Sequence, residues 1–269
     1  MRNPVASLFG TSRLWTPADL APAAWFDTDA DLTTINDATA NDVDEWTDQV
    51  NGHRIESYSS SRPVIGTLNG KTVVQCGVGQ FLDEDLASVL AITNAAVELW
   101  LFCVIRVDAI DAANRYPLGF STGSSTVSFR ATLSVDDSGA GNVLQAGGRI
   151  RDDDSYGAAV GSTDLSVAAS HIIGGRFRPD ANTIAAWVDG VEEQEDTTWT
   201  GSAAASFDAS DSLDISVGDD NLSLGDLIIV RGTLSDLNRQ RIEGYLAHEF
   251  GLTARLDASH PYKTDAPTI

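Results

Sequence analysis

Lysine, cysteine and methionine are scarce in this sequence, and the shortage of cysteine excludes one class of protein. Among its 269 residues are two cysteines, one methionine and 17 basic residues, of which only Lys71 and Lys263 are lysines. Two cysteines cannot form the disulfide scaffold of a small secreted domain. Because Cys76 and Cys103 both stand inside apolar runs, we expect buried free thiols rather than metal ligands.

Positive charge is heavily outnumbered by negative charge. The 39 acidic residues set against 17 basic ones give a formal net charge of −22. A field of this sign repels nucleic-acid phosphates and anionic membrane surfaces, so we expect no nucleic-acid partner and no membrane insertion. Residues 1–15 lack the apolar core of a signal peptide, and no stretch has the length of a membrane span. We therefore expect synthesis in a cytoplasm.

Alternation of apolar and polar residues dominates the chain and predicts β-structure. Residues 127–135 alternate strictly, whereas residues 97–107 are apolar on both faces, as in a central strand. The Asp189-Gly190 pair between two extended runs predicts a hairpin, because both turn positions need positive φ. Many short strands separated by turns predict an all-β fold, an antiparallel two-sheet jelly-roll sandwich.

One good helix is predicted near the end of the chain. Ser235 is a suitable N-cap for residues 236–250, in which Ile242 and Leu246 fall on one apolar stripe, and Gly251 follows directly. We expect this C-terminal helix to cover an apolar face of the sandwich.

Three segments carry a resemblance to a known family. They are WTPADLAPAAWFD at 15–27 with VDEW at 43–46, HIIGGRF at 171–177 with WVDG at 187–190, and GDLIIVRGTLSDLNRQRIEGYLAHEFGL at 225–252. Together they resemble the concanavalin A-like, laminin G-like jelly-roll modules of phage structural proteins and bacterial surface proteins. The resemblance implies a sandwich that binds carbohydrate, binds protein or builds larger assemblies. We place the sandwich at 15–256, between an N-terminal arm (1–14) and a C-terminal tail (257–269).

Two short strings have the outline of catalytic motifs. GFSTG at 119–123 matches the G-x-S-x-G of serine hydrolases, which needs a strand-to-helix turn, but the following residues alternate as a strand. EEQED at 192–196 lacks the third carboxylate of the E-x-D-x-E strand of sugar-cleaving enzymes. These departures predict that the chain has no catalytic residues and is not an enzyme.

The string DTDAD at 27–31 is a candidate cation site. It places Asp27, Asp29 and Asp31 at alternate positions, and carboxylate oxygens are the ligands that Ca²⁺ prefers. The glycine and glutamate of a regular calcium loop are missing from the sixth and twelfth positions, so we expect no required cofactor and leave calcium open for these three residues.

Three aromatic residues stand in polar loops, where they suit ligand contact. Tyr58, Tyr156 and Trp199 are flanked by serine, threonine, aspartate or glycine. Exposed aromatic side chains serve sugar stacking and protein docking, although such residues also anchor loops. We take these three as candidate ligand contacts.

The N-terminal arm combines positive charge with apolar residues. Arg2 and Arg13 frame Val5, Leu8 and Phe9. A segment this short cannot bury its own apolar surface. We expect it to be disordered or docked on an acidic neighbour such as another copy of the chain, and we predict these five residues as assembly contacts.

Two functions remain open from the sequence. The first is a non-catalytic virion structural protein of a phage: a capsid-decoration, head-fibre or tail-associated protein. It would be made in the host cytoplasm and end in the virion, in contact with other virion proteins, with its own copies as a homo-oligomer, or with host surface glycans. The alternative is a stand-alone carbohydrate-binding lectin module of a bacterial protein.

Overall fold

The computed structural model describes residues 13–30, 32–35, 41–57, 62–84, 92–109, 115–121, 129–136, 142–151, 154–199, 206–207, 214–218 and 221–269. The strands within them are β1 Ala24–Phe26, β2 Leu32–Ile35, β3 Asp42–Thr47, β4 Arg54–Glu56, β5 Val64–Leu68, β6 Lys71–Cys76, β7 Leu82–Glu84, β8 Leu99–Val107, β9 Arg115–Ser121, β10 Phe129–Asp136, β11 Val143–Gly148, β12 Gly157–Val160, β13 Ser170–Arg178, β14 Thr183–Val188, β15 Val191–Asp196, β16 Asp214–Val217 and β17 Leu222–Arg231. The C-terminal helix α1 spans Asp236–Glu249, and 3-10 turns span Pro17–Leu20 and Pro179–Ala181. No helix in this part of the chain has the length and apolar character needed to cross a membrane.

The strands pair into two antiparallel sheets. The first, which we call the helix-side sheet, has the order β15-β14-β13-β8-β17, and the far edge of β17 pairs with β6 and then with β1. The second, the outer sheet, has the order β12-β11-β10-β9-β16-β7-β4-β3-β2. The remaining strand β5 pairs with β6 and, through one residue pair, with β3, so it connects the two sheets along one side. The predicted antiparallel sandwich with a C-terminal helix is confirmed.

The main hydrophobic core lies between the two sheets. Leu101 and Phe177 reach it from the helix-side sheet, and Leu118 and Leu133 from the outer sheet, all four with no exposed surface. Burying one such side chain contributes roughly 1.5–3 kcal/mol. Because successive side chains of a strand point to opposite faces, the alternation read in residues 127–135 supplies this core from β10.

A second core lies on the opposite face of the helix-side sheet, under α1. The aromatic side chains Trp100 and Trp187 of the sheet belong to the same buried cluster as Ile242 and Leu246 of the helix. The helix begins as predicted, since the Ser235 side chain accepts a hydrogen bond from the amide of the third helical residue. Central strands such as β8 are therefore apolar on both faces.

The predicted hairpin joins β14 to β15. Asp189 and Gly190 have φ values of 51° and 84°, the left-handed region that this turn requires. The Asp189 carboxylate accepts a hydrogen bond from the amide of Ile172 at 3.0 Å and lies 2.8 Å from Nδ1 of His171. The turn is thus tied to the neighbouring strand β13 as well as to its own two strands.

The first described residues lie beside the last residues of the chain, and we call these two segments, 13–16 and 266–269, the paired chain ends. Leu14 forms a β-bridge with Thr268, and the amide of Trp15 donates to the carbonyl of Pro267 at 2.9 Å. Residues 257–269 are predicted as a tail outside the sandwich, but Pro267 is buried and His260 lies 7% exposed against the helix. The structure therefore packs this segment onto the sandwich, where it forms part of a cleft.

Candidate functional site

A cleft of about 470 Å³ opens where the paired chain ends meet α1. It is lined by Leu14, Trp15, Thr16, Ala266 and Pro267 from the chain ends, Trp25, Asp27 and Asp29 from β1 and the turn after it, and Tyr245, His248 and Glu249 from the helix. Sites for small ligands in proteins commonly have volumes of about 300–1,000 Å³. Segments that are distant in sequence thus meet around a cavity of the size of a ligand site.

The floor of the cleft is aromatic. Trp15 and Trp25 both meet Tyr245 edge-on, with ring centroids 6.4 and 5.9 Å apart and interplanar angles of 72° and 87°. Both tryptophans are buried, whereas Tyr245 is half-buried. Each such aromatic pair adds roughly 0.5–1.5 kcal/mol beyond the area that it buries. The two tryptophans thus hold the ring of Tyr245, which supplies most of the exposed surface of the aromatic floor.

A buried carboxyl group lies beneath this floor. Asp226 is 1% exposed, and its Oδ2 accepts hydrogen bonds from Nε1 of Trp25 and the hydroxyl of Tyr245, both at 3.3 Å. Its Oδ1 accepts from the amide of Thr28 at 3.0 Å and from the hydroxyl of the same residue at 3.1 Å. Burial, together with the nearby charge of Asp27, raises the pKa of Asp226 to about 7 against these hydrogen bonds.

An irregularity in β17 puts Asp226 at this place. The register between β17 and β8 shifts between Leu224 and Leu227, so Gly225 and Asp226 form a bulge. A bulge redirects the side chains of the strand that contains it. The carboxyl group thereby reaches the side chains of β1 and of the helix that line the cleft.

The rim of the cleft carries an ion-pair network centred on Lys71. Its ammonium group contacts Oδ2 of Asp29 at 3.1 Å and also Oε1 of Glu249. Burial opposes the ionised form of Asp29, but hydrogen bonds from Lys71 and Thr72 outweigh it, and the pKa of Asp29 is lowered. The hydrogen bond to Glu249 in turn raises the pKa of Lys71. One of the two lysines of the chain thus joins the helix to the turn after β1.

The structure places two of the three predicted calcium ligands in this cleft. Oδ1 of Asp27 accepts a hydrogen bond from the amide of Asp29 at 2.8 Å, and Asp29 is paired with Lys71. Asp31 lies outside the described residues. Among the residues that are described, no group of three or more His, Cys, Asp or Glu side chains could hold a metal ion. Calcium binding by the full trio stays a prediction.

Trp199 is not an exposed contact residue, and its prediction as one is wrong. Its side chain has no exposed surface, and its indole Nε1 donates to the carbonyl of Gly148 at 3.0 Å. The ring packs between Phe177 and Phe207, at centroid distances of 6.4 and 6.0 Å. With its polar N–H satisfied, the indole is buried in the main core in spite of its polar neighbours in sequence.

Tyr156 keeps a partly exposed position. It is 36% exposed and packs over Gly147 on the outer sheet, where a larger residue than glycine would meet its hydroxyl. Burial of part of the ring raises the pKa of its hydroxyl. Its role as a ligand contact stays a prediction, and Tyr58 lies outside the described residues.

Of the predicted assembly contacts, Arg13 is described and pairs within the chain. Its guanidinium contacts both carboxylate oxygens of Asp19, which also accepts a hydrogen bond from the amide of Thr16 at 2.9 Å. The remaining four, Arg2, Val5, Leu8 and Phe9, lie outside the described residues.

The described residues of the two motif-like strings lie on strands. Ser121 is the last residue of β9, pairs with Phe129 of β10 and is 7% exposed. Glu193 of β15 accepts hydrogen bonds from the amides and hydroxyls of Ser162 and Thr163, at distances between 2.6 and 3.0 Å. Burial opposes the ionised form of Glu193, but these hydrogen bonds outweigh it and lower its pKa. This carboxylate holds a loop.

Comparison with known proteins finds likeness in structure. No family model matches the chain, and a search of curated proteins finds no significant match. Trypanosoma rangeli sialidase in complex with 2,3-difluorosialic acid matches 86% of this chain with a TM-score of 0.57 and 10% identity. The receptor-binding domain of botulinum neurotoxin mosaic serotype C/D matches 82% with a TM-score of 0.55 and 9% identity. The chain spans 33% of the sialidase and 50% of the neurotoxin domain.

Likeness at such low identity shows the fold alone. These matches are lectin-like β-sandwiches, so the coarser part of the predicted resemblance is confirmed. The specific link to phage structural proteins is not borne out by them.

The comparisons correct two further predictions. The main prediction, a non-catalytic virion structural protein, is wrong on these matches, which are sialidases and neurotoxin binding domains. The prediction that the chain is not an enzyme is contradicted by the same sialidases, which are glycosidases. The prediction depends on the departure of two strings, GFSTG and EEQED, from known catalytic motifs. One fold can carry many different catalytic sites, so the absence of two motifs is insufficient to exclude catalysis.

Proposed function

We propose that the protein is a carbohydrate-binding module whose ligand occupies the cleft between the paired chain ends and α1. The observation that carries this proposal is the composition of the cleft: an aromatic floor of Trp15, Trp25 and Tyr245 lies beside the carboxylates of Asp29 and Glu249. Sugars have one apolar C–H face and a periphery of hydroxyl donors, so they need both kinds of surface.

The carboxylates at the rim suit hydroxyl donors because they retain acceptor capacity. The Glu249 side chain is 33% exposed and that of Asp29 44% exposed, so both stay open to a ligand while paired with Lys71. An ionised carboxylate accepts up to about four hydrogen bonds. A hydrogen bond to a charged group contributes roughly 1.5–3 kcal/mol, so two such contacts are enough for weak, specific binding of a sugar.

The comparisons support a carbohydrate ligand in general terms. Two of the matched sialidase structures contain sialic acid or a difluorinated form of it, and the neurotoxin chain is a receptor-binding domain. Because the chain spans a third of the sialidase, the activity of that whole enzyme is not transferred to it.

A glycan array followed by calorimetry tests the proposal. The full chain is expected to bind at least one class of glycan, and Glu249→Ala is expected to weaken that binding roughly tenfold, the equivalent of one lost charged hydrogen bond. Glu192→Ala is the matched control, because this exposed carboxylate of β15 does not line the cleft and its removal changes the net charge equally. Binding of no glycan overturns the proposed function. Equal loss in both variants overturns the choice of site.

A further inference from the structure

The described lining of the cleft is acidic. It contains three carboxylates, Asp27, Asp29 and Glu249, and neither an arginine nor a lysine. His248 is the one described lining residue that can carry a positive charge, and its Nε2 lies 2.9 Å from the carbonyl of Tyr262. A proton on that nitrogen is therefore directed to the backbone and away from a ligand.

Two positive charges beside the cleft are already paired. Lys71 divides its ammonium group between Asp29 and Glu249 at the rim, so two of the three lining carboxylates share one positive charge. The guanidinium of Arg13 binds the carboxylate of Asp19, which does not line the cleft. Within the described residues, the cleft has no free cation to receive an acidic ligand.

The negative field reaches the interior of the cleft. Burial comes first among the causes that raise the pKa of the Tyr245 hydroxyl. The charge of Asp226, which is present only above its own pKa of about 7, and the charges of Asp27 and Glu249 come next. Tyr245 belongs to the aromatic floor, so a group resting on this floor experiences the same charges. Low-dielectric walls strengthen such a field, and a cleft lined by one sign of charge concentrates ligands of the opposite sign.

We propose that the cleft selects glycans without acidic groups and that a protonated amino group on the sugar increases affinity. This inference rests on the proposed function and names the ligand class of the same site. An ammonium group brings three donors to the carboxylates of Asp29 and Glu249, which share the single ammonium group of Lys71. A carboxylate on the sugar, as in sialic or uronic acids, meets like charge and loses its hydration without a compensating partner.

Three oligosaccharides of equal length test the selection: glucosamine, N-acetylglucosamine and glucuronic acid oligomers. Affinities measured by calorimetry with the full chain, with the amino group protonated, are expected to fall in that order. The cationic glucosamine oligomer should bind roughly tenfold tighter than the neutral N-acetylglucosamine oligomer at low ionic strength. At about 1 M salt, where the Debye length falls to about 3 Å, the difference should shrink strongly.

Two variants change the charge of the site in opposite directions. Glu249→Gln should reduce the preference for the amino sugar, and Lys71→Gln should increase it, while Glu192→Gln should leave it unchanged. The thermal midpoint of each variant shows whether it folds. If either Glu249→Gln or Lys71→Gln fails to fold, the other variant tests the inference. A preference for the uronic acid or for sialylated glycans overturns this inference and leaves the proposed function standing. A preference order that neither Glu249→Gln nor Lys71→Gln alters overturns it as well. Absence of binding to every glycan overturns the proposed function itself.

Discussion

Replacement of Asp226 by asparagine tests the buried carboxyl group beneath the cleft. The side chain accepts four hydrogen bonds, from Thr28, Trp25 and Tyr245, and is 1% exposed. Its pKa is raised from 3.8 to about 7, first by burial and then by Asp27. Asparagine has the shape of the protonated acid and cannot ionise, so Asp226→Asn isolates the effect of the charge.

The pKa shift determines the sign and size of the expected effect. Because the folded pKa lies above the unfolded value, the unfolded chain releases this proton first, and stability falls as the pH rises from about 4 to about 7. Three pKa units at 1.36 kcal/mol each correspond to about 4 kcal/mol over the full window. From pH 5 to pH 8 the free energy of unfolding of Asp226→Asn should therefore rise by about 3 kcal/mol relative to that of the parent. At every pH we also expect the free energy of unfolding of Asp226→Asn to be lower by a constant amount of about 1 kcal/mol, because the amide nitrogen cannot accept the indole N–H of Trp25.

Urea unfolding at pH 5, 6, 7 and 8 measures this difference. Glu192→Gln serves as the matched control, since it removes one exposed negative charge and so reports the general effect of net charge. A difference between Asp226→Asn and the parent that stays constant from pH 5 to pH 8, or that changes in the opposite direction, would refute the reasoning.

Two further predictions concern the helix and the acidic turn. Leu246→Ala should lower the free energy of unfolding by about 2–5 kcal/mol, because the side chain has no exposed surface in the core under α1, and urea unfolding measures it. A variant as stable as the parent would contradict this packing. Removal of calcium with a chelator should leave the thermal midpoint unchanged, because Asp29 is already paired with Lys71. A drop that added Ca²⁺ reverses in the parent, but that is absent in Asp29→Ala, would show a cation site at Asp27, Asp29 and Asp31.

The parts of the fold that could be predicted are those with local signals. The Asp189-Gly190 turn, the doubly apolar β8 and the Ser235 cap each depend on a few adjacent residues, and the structure reproduces all three. A turn needs positive φ, a central strand needs apolar faces, and a helix needs its first amides satisfied. Such requirements act within a few residues of the chain, so a single sequence reveals them.

The cleft could not be predicted because its parts meet only after folding. Trp25, Lys71 and Glu249 come from three distant segments, and no periodicity relates them. The spacing of Asp27 and Asp29 marks them as candidate cation ligands, but no pattern in the sequence connects them with the helix. The scarcity of lysine does not reveal the site either, because residues 66–76 around Lys71 contain no acidic residue, and its partners Asp29 and Glu249 are distant in the sequence.

Trp199 shows why polar neighbours in sequence do not identify an exposed contact residue. Its neighbours in sequence are threonine, glycine and aspartate, which suggested a solvated loop. The indole nevertheless fits between Phe177 and Phe207, and its one polar hydrogen finds the carbonyl of Gly148. Burial of a large aromatic ring outweighs the polarity of short neighbours, because those neighbours can face solvent while the ring faces the core.

Gly225 links the bulge that positions Asp226 to the packing of the helix. A Cβ atom at this position would lie 2.6 Å from Cζ of Phe250 and 2.9 Å from Cβ of Val104. Phe250 is 1% exposed, and its rigid ring cannot move aside without displacing the end of α1. Gly225→Ala should therefore lower the free energy of unfolding by about 1–3 kcal/mol. This loss outweighs the roughly 0.4–1 kcal/mol by which alanine usually stabilises a protein, because it reduces the conformational entropy of the unfolded chain.

Combination with Phe250→Leu, which shortens the opposing ring, separates this clash from other effects of the substitution. If contact with the ring is the cause, the double variant should be more stable than the sum of the two single changes predicts, by about 0.5–3 kcal/mol. Because α1 also carries Tyr245 and Glu249, Gly225→Ala should weaken glycan binding at temperatures where the variant is still folded. Strictly additive changes in stability, with glycan binding unaffected, would mean that the bulge and the helix are independent.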